Sequence, residues 1–259
     1  MKIAAVIPAR LASSRFPGKV LRPIDGLPMV EHVRRRALLC DDLSEVVVAT
    51  CDEEVAAMVG SHGGRAVMTS DAHQNGTTRV AEAIASIDCT HVVLLQGDEP
   101  LLLPRHVHAL ATAMRAQPDV PAWNLVAPVV DADEMDRHSF VKCAVAQPDR
   151  ILYCFRRSPY FSAFSEHRRF ARKMLGIIAY RRDFLLRLTE LPLSPGEKAE
   201  SIEQLRILEN GFPFHFVEVV PSLPSINEPH ELDIVMDSLR TDPEQQRLLK
   251  QILAQDRKT

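Results

Sequence analysis

The sequence predicts an α/β fold, a doubly wound and mostly parallel sheet joined by a smaller strand-rich subdomain. Three observations carry that expectation. Short β-branched runs alternate with helical periodicity from residue 3 to about 127, the rhythm of strands linked by crossover helices. Beyond that point strand-like runs crowd together at 143–146, 150–155 and 175–180. No internal repeat or low-complexity tract interrupts either pattern.

Each element has its own local reason. Residues 3–7 form a continuous apolar run, as a buried strand does. In the helix that follows, Val30, Val33, Ala37 and Leu38 share one face, and the run Arg34, Arg35 and Arg36 reads as a solvated opposite face. Residues 45–49 are the second strand. Thr50 and Glu53 have capping-box spacing before Val55, Ala56 and Val59. Residues 77–86 read as a helix, and 91–95 and 123–127 as strands. Later segments predict helices at 182–190 and 200–209, a strand at 214–219 and a closing helix at 241–254. The expected organisation is an α/β core (1–130), a strand-rich insertion (131–185) and a return to the core with a C-terminal helix (186–259), in one continuous unit.

Composition narrows the class of function. A 259-residue chain with 46% hydrophobic residues and a net charge of −3 fits an ordinary soluble protein with a core that needs no metal or disulfide staple. It lacks the basic balance of a general nucleic-acid binder. The five cysteines are odd in number and form no C-x-x-C pair, which predicts free thiols in a reducing compartment, the cytoplasm, and no structural zinc. Neither a signal peptide nor an apolar run long enough for a membrane span is expected.

The first chemical motif is the loop of residues 7–19, which leaves the carboxyl end of the first strand, where open α/β sheets bind ligands. It carries Arg10, Arg15 and Lys19 and no carboxylate, with Ser13, Ser14 and Gly18 as small residues that let backbone N–H groups approach an anion. Such a loop suits a triphosphate, although it also fits a solvated basic turn. It has neither P-loop nor dinucleotide-fingerprint spacing. The second motif, Gln96-Gly97-Asp98-Glu99-Pro100, ends an apolar strand at the same sheet edge. A carboxylate facing polyphosphate implies Mg²⁺, with Asp98 as ligand and Gln96 as a hydrogen-bonding neighbour; the bland reading is a capped turn before Pro100. The third, residues 71–79, places turn residues before a helix N-terminus, suited to an anion or a base carbonyl.

Taken together, the motifs P-A-R-x-x-S-S-R-x-P-G-K (8–19), M-T-S-x-x-x-x-x-G-T-x-R (68–79) and Q-G-D-E-P (96–100) resemble the 3-deoxy-manno-octulosonate cytidylyltransferase family. The resemblance continues through Val141-Lys142, Leu152-Tyr153, Arg156, Leu175-Gly176-Ile177, Tyr180-Arg181 and Glu203-Gln204-Leu205-Arg206. It implies a fold of the nucleotide-diphospho-sugar transferase type, CTP as donor, an acidic small-molecule acceptor, Mg²⁺ as cofactor, and a homodimer formed largely through the later strand-rich segment. It implies that Pro8, Ala9, Ser14, Met68, Thr69, Ser70, Gly76, Thr77, Arg79 and Gln96 bind nucleotide. Arg10, Arg15, Lys19 and Asp98 are the implied catalytic set. Arg156, Met174, Tyr180, Glu203 and Gln204 surround the acceptor, and Asp98 and Asn227 hold the metal.

Two positions depart from the family pattern. Where the family has R-H-L-G, this chain has Lys173-Met174-Leu175-Gly176, so an acceptor-contacting His becomes a thioether that also suits core filling. Where the family has V-D-x-P-E-D, this chain has Ile226-Asn227-Glu228-Pro229-His230-Glu231, so a second metal carboxylate becomes an amide. The basic run Arg168, Arg169, Arg172 and Lys173 reads as a solvated loop rather than a clamp. Transfer of CMP from CTP to an octulosonate-type sugar acid with release of pyrophosphate is the leading expectation. Transfer to another acidic acceptor (a different sugar acid, a phosphonate or a phosphosugar) and CTP binding without turnover are the alternatives.

Overall fold

Every residue from Ile3 to Ile7 is buried, and the run forms β1 (Ile3–Pro8). A short hairpin of β2 (Pro23–Ile24) and β3 (Leu27–Pro28) leads into α1 (Met29–Ala37). Then come β4 (Glu45–Thr50), α2 (Glu53–Ser61), β5 (Arg65–Met68), α3 (Gly76–Ala83) and β6 (His91–Leu95). These strands lie in the order β5-β4-β1-β6 and run parallel, with Val6 opposite both Val47 and Leu94. Parallel neighbours need crossovers, so the carboxyl ends of β1, β4 and β6 share one edge, and the loops that carry polar residues gather there.

The computed structural model describes residues 1–13, 15–158 and 163–257, and the chain forms two compact units, Met1–His108 with Leu223–Thr259, and Ala109–Ser222. The segment 131–185 therefore lies inside a larger unit, and the return to the first unit begins at Leu223. After α4 (Pro104–Ala116), the second unit contains β7 (Ala122–Pro128), α5 (Ala132–Asp136), β8 (Lys142–Ala146), β9 (Arg150–Phe155), α6 (Phe164–His167) and β10 (Ala171–Arg181). It continues through α7 (Arg182–Glu190), α8 (Pro195–Glu200), α9 (Leu205–Glu209) and β11 (His215–Glu218). β7 pairs parallel with β11 and antiparallel with β10, while β9 pairs with β11 and β8, and β8 returns to β10, so the pairings close a ring. Two helices, α10 (Glu231–Thr241) and α11 (Pro243–Leu253), end the first unit.

Three local expectations are corrected. The expected helix at 200–209 is two short helices, because Ser201 takes a left-handed conformation (φ 54°) that stops α8. The N-cap of α2 is Asp52, and Thr50 instead accepts the Asp52 N–H through Oγ1 at 3.1 Å. The arginine run of α1 is not a solvated face: Arg34, Arg35 and Arg36 are all buried. Glu31, fully buried one turn earlier, accepts two bonds from Arg34 (2.6 and 2.7 Å) and one from Arg35 (3.0 Å). Arg35 also caps α11 through the Ile252 carbonyl (3.0 Å), and Arg36 donates to the Leu102 carbonyl (3.3 Å). Burial pulls the Arg36 guanidinium down to about 10.

Of the second basic run, Arg168 and Arg169 are exposed, whereas Arg172 and Lys173 lie on β10 and pair with Glu218 and Glu134. All five cysteines carry free thiols. Among the described residues no helix is long and apolar enough to cross a membrane.

Candidate nucleotide site

The loop after β1 is built from within. The Leu11 carbonyl accepts the N–H groups of Ser13 (2.8 Å) and Gly18 (2.9 Å), and the Leu11 N–H donates to Asp52 (2.8 Å). Gly18 closes the turn in the left-handed region (φ 69°), where a side chain would be strained. Phe16 packs beneath the loop with Ile24, Met29, Leu101, Ile226 and Val235. That anchor leaves Arg10 and Arg15 exposed at the surface.

A cavity of about 250 Å³ opens above the loop, lined from three sides. Pro8, Ala9, Arg10, Arg15 and Lys19 come from the loop, Gly76 and Arg79 from the start of α3, and Gln96 and Asp98 from the end of β6. Lys19 Nζ donates to Asp98 Oδ2 (2.5 Å) and to the Ile226 carbonyl (2.9 Å), and the Ile226 N–H donates to the Asp98 carbonyl (2.9 Å). Ile226, the chain neighbour of Asn227, is thereby held to Asp98 although 128 positions separate those two, the difference of their numbers; Asn227 itself is not among the residues that line the cavity. Asn227 Oδ1 accepts from Arg15 Nη2 (3.1 Å), and its Nδ2 donates to Ser225 (3.0 Å).

The α3 wall is equally specific. Asn75 caps the helix by accepting the Thr78 N–H at 3.0 Å. A Cβ on Gly97 would come within 3.2 Å of the Pro8 carbonyl, a tight contact that the glycine spares where the β1 and β6 ends meet. Arg79 is 2% exposed; its Nη1 donates to Thr69 (2.6 Å), and its Nη2 is buried without an acceptor. A buried N–H left unpaired is costly.

Other nucleotide candidates stand back from the cavity. Met68 is half exposed on β5, Thr69 serves Arg79, Ser70 donates its N–H to Glu82, and Thr77 is buried in the first turn of α3. Ser14 lies outside the described residues. The wall also includes Ser13, His73, Asn75 and Gly97; the motif reading placed Ser13 among the small residues suited to an anion and His73 and Asn75 in the turn before α3, but named none of the four as a nucleotide-binding residue.

The acceptor candidates all belong to the second unit. Arg156 spends its guanidinium on backbone carbonyls, those of Glu200 (2.8 Å), His138 (3.0 Å) and Ser201 (3.2 Å). Tyr180 is buried on β10, and Glu203 and Gln204 are half-buried before α9. Met174 lies where β10 bulges against β7; Asn124 Nδ2 fills the bulge by donating to the Leu175 carbonyl (2.9 Å). Nearby Lys142 is buried and lowered to about 8 by desolvation, its ammonium held by the Arg137 carbonyl (2.9 Å).

Comparison with known proteins agrees with this geometry. The cytidylyltransferase family model matches residues 4–219. The chain is 40% identical over 250 residues to the 3-deoxy-manno-octulosonate cytidylyltransferase of Geobacter metallireducens, covering 92% of this chain and 98% of that one. It is 41% identical over 235 residues to the Escherichia coli protein of the same name, covering 90% and 94%. The solved structure of CMP:2-keto-3-deoxy-manno-octonic acid synthetase complexed with CTP superposes with a TM-score of 0.88 at 38% identity, over 93% of this chain and all of that one. A cytidylyltransferase from Leptospira borgpetersenii, 15% identical with a TM-score of 0.64 over 100% of this chain and 95% of that one, shares the fold. On the fold, the cation-lined cavity and these similarities, the chain belongs to the 3-deoxy-manno-octulosonate cytidylyltransferase family.

Proposed function

We propose that the protein transfers CMP from CTP to a 3-deoxy-octulosonate-type sugar acid in the cytoplasm, with Mg²⁺ as cofactor and pyrophosphate as the released product. The observation that carries this reading is the cavity wall, where Arg10, Arg15 and Lys19 converge opposite Asp98 and a buried Arg79 has an unused donor. The relatives' names supply the acceptor class.

Arg10 and Arg15 hold the outer phosphates as bidentate donors, and Lys19 stabilises the charge that develops on the departing pyrophosphate. Arg79 Nη2 and the N-terminus of α3 orient the nucleoside. The acceptor's anomeric hydroxyl attacks the α-phosphorus in line and gives up its proton to water, while the bond from the α-phosphorus to the bridging oxygen breaks and pyrophosphate leaves with that oxygen. The protein's contribution is positioning and charge neutralisation. The donors that would hold Mg²⁺ are a carboxylate on Asp98 and an amide oxygen on Asn227, both hard oxygen ligands of the kind that ion takes. When bound, the ion neutralises phosphate charge. Lys19 must then share Asp98 or move onto phosphate.

Exposed Leu152 (58%) and Tyr153 (44%) on β9 support pairing with a second copy. Asn227 and the carbonyl-bound Arg156 favour one further reading, a different acidic acceptor. The test is pyrophosphate release with CTP, Mg²⁺ and a panel of sugar acids, phosphonates and phosphosugars. Release with an octulosonate is expected. Release only with another acceptor selects the further reading; CTP binding with no release from any acceptor would identify a protein that binds without turnover.

A further inference from the structure

Outside the cations and the metal ligands, the carboxylate of Glu82 organises the α3 side of the cavity without lining it. Glu82 sits on α3 and turns back over the loop that precedes the helix. Its carboxylate accepts the Ser70 N–H at 3.0 and 3.2 Å and also the Nε2 of His73. His73 is a cavity-lining residue, and its carbonyl accepts from Arg10 Nη1 at 3.4 Å. The loop's other end is tied by Asn75 to Thr78, and its start by the Thr69 N–H to the Thr50 carbonyl (2.8 Å). Glu82 is thus the one side chain among the described residues recorded as holding both Ser70 and His73, the stretch between those two ties.

We propose that Glu82 is a positioning residue for nucleotide binding: it fixes residues 70–73 so that His73 lines the cavity and its carbonyl holds Arg10 toward the triphosphate. The inference rests on the reading of this cavity as the CTP site. The bonds that Glu82 accepts also lower its carboxyl pKa, the His73 contact most, so the carboxylate stays charged in this arrangement. It lies half exposed near the phosphate-binding cations, and a negative charge there works against an anionic ligand. Charge and positioning therefore act with opposite signs, which makes them separable.

The experiment measures CTP affinity without metal by calorimetry, steady-state kinetics, and amide hydrogen exchange across residues 69–76 for wild type, Glu82→Gln and Glu82→Ala. Thermal unfolding checks that each variant is folded. Positioning predicts that Glu82→Ala exchanges faster over this loop, weakens CTP binding about tenfold and raises KM for CTP with little change in kcat. Glu82→Gln keeps the acceptor oxygen and restores most of the affinity. If both variants bind CTP as well as or better than wild type, Glu82 acts only through its charge and the proposal is overturned. Wild-type protein that binds no CTP would overturn the nucleotide reading, and this proposal with it.

Discussion

Two clusters of three cations lie within the same unit and meet opposite fates. Arg10, Arg15 and Lys19 face a cavity, while Arg34, Arg35 and Arg36 are buried in helix packing. The second cluster is the denser in sequence and would rank first by charge density along the chain alone. What separates them is the partner each finds. Glu31 and the carbonyls of Leu102 and Ile252 take donors from each arginine of the buried run, although Arg36 Nε and Nη2 are buried without an acceptor among the described residues. In the loop, Arg15 donates to a neutral amide, and Lys19 meets a carboxylate that is itself at the cavity. The proposed triphosphate site is therefore a place where the fold leaves cations with less counter-charge.

The comparison can be broken most directly at Glu31. Removing one partner of a buried ion network leaves the other charges uncompensated, so Glu31→Ala is expected to destabilise the protein by about 3–5 kcal/mol, read from urea unfolding. Variant protein that remains folded should bind CTP as wild type does. Lys19→Ala should behave in the opposite way, with kcat falling by about 10²–10³ and a smaller change in the unfolding midpoint. If Lys19→Ala cost more stability than Glu31→Ala, the division into structural and ligand-facing cations would fail.

A smaller effect follows from His32, which lies on α1 beside the arginine run. Desolvation holds it down to about 4, even though its Nε2 meets the Ile24 carbonyl at 2.6 Å. The unfolded chain takes up this proton near pH 6.5 and the folded chain only near 4. Unfolding therefore gains protons as the pH falls between those values, and stability is lost across that window, by about 2 kcal/mol at pH 5. Urea midpoints at pH 7 and pH 5 for wild type and His32→Gln measure this; the variant should show a smaller difference.

The first unit was largely legible because its chemistry is local in the chain. The apolar run before the basic loop, the carboxylate after β6 and the turn before α3 can each be read without knowing their neighbours. The arginine run could not, because its burial depends on α11 and the Leu102 carbonyl, more than 60 positions away for the nearer of the two. β5 was missed because Arg65–Met68 is short and partly exposed. α4 was missed although Val107, Leu110, Ala111 and Met114 have helical spacing and are buried. The acceptor residues show the same limit. Arg156 is a carboxylate-binding type by chemistry, yet the fold commits it to carbonyls that no local pattern announces.

The finest distinction lies at Asn227, where the loop cluster meets a neutral partner and the buried cluster a charged one. Asn227→Asp would give Arg15 the kind of partner that Glu31 gives Arg34 and Arg35, and would give the proposed Mg²⁺ site a second carboxylate. The first consequence weakens metal-free CTP binding, because the new charge competes with triphosphate for Arg15. The second lowers the Mg²⁺ concentration needed for half-maximal turnover. Each change is expected to be a few-fold, since the Arg15 bond is exposed and exposed charge pairs contribute about 1 kcal/mol or less. Metal-free CTP titration reports the first and a Mg²⁺ titration of activity the second. Repeating the CTP titration in an Arg15→Gln background isolates the pair term. If the loss of CTP affinity persists there undiminished, the new charge repels triphosphate directly, and Asn227 does not act through Arg15.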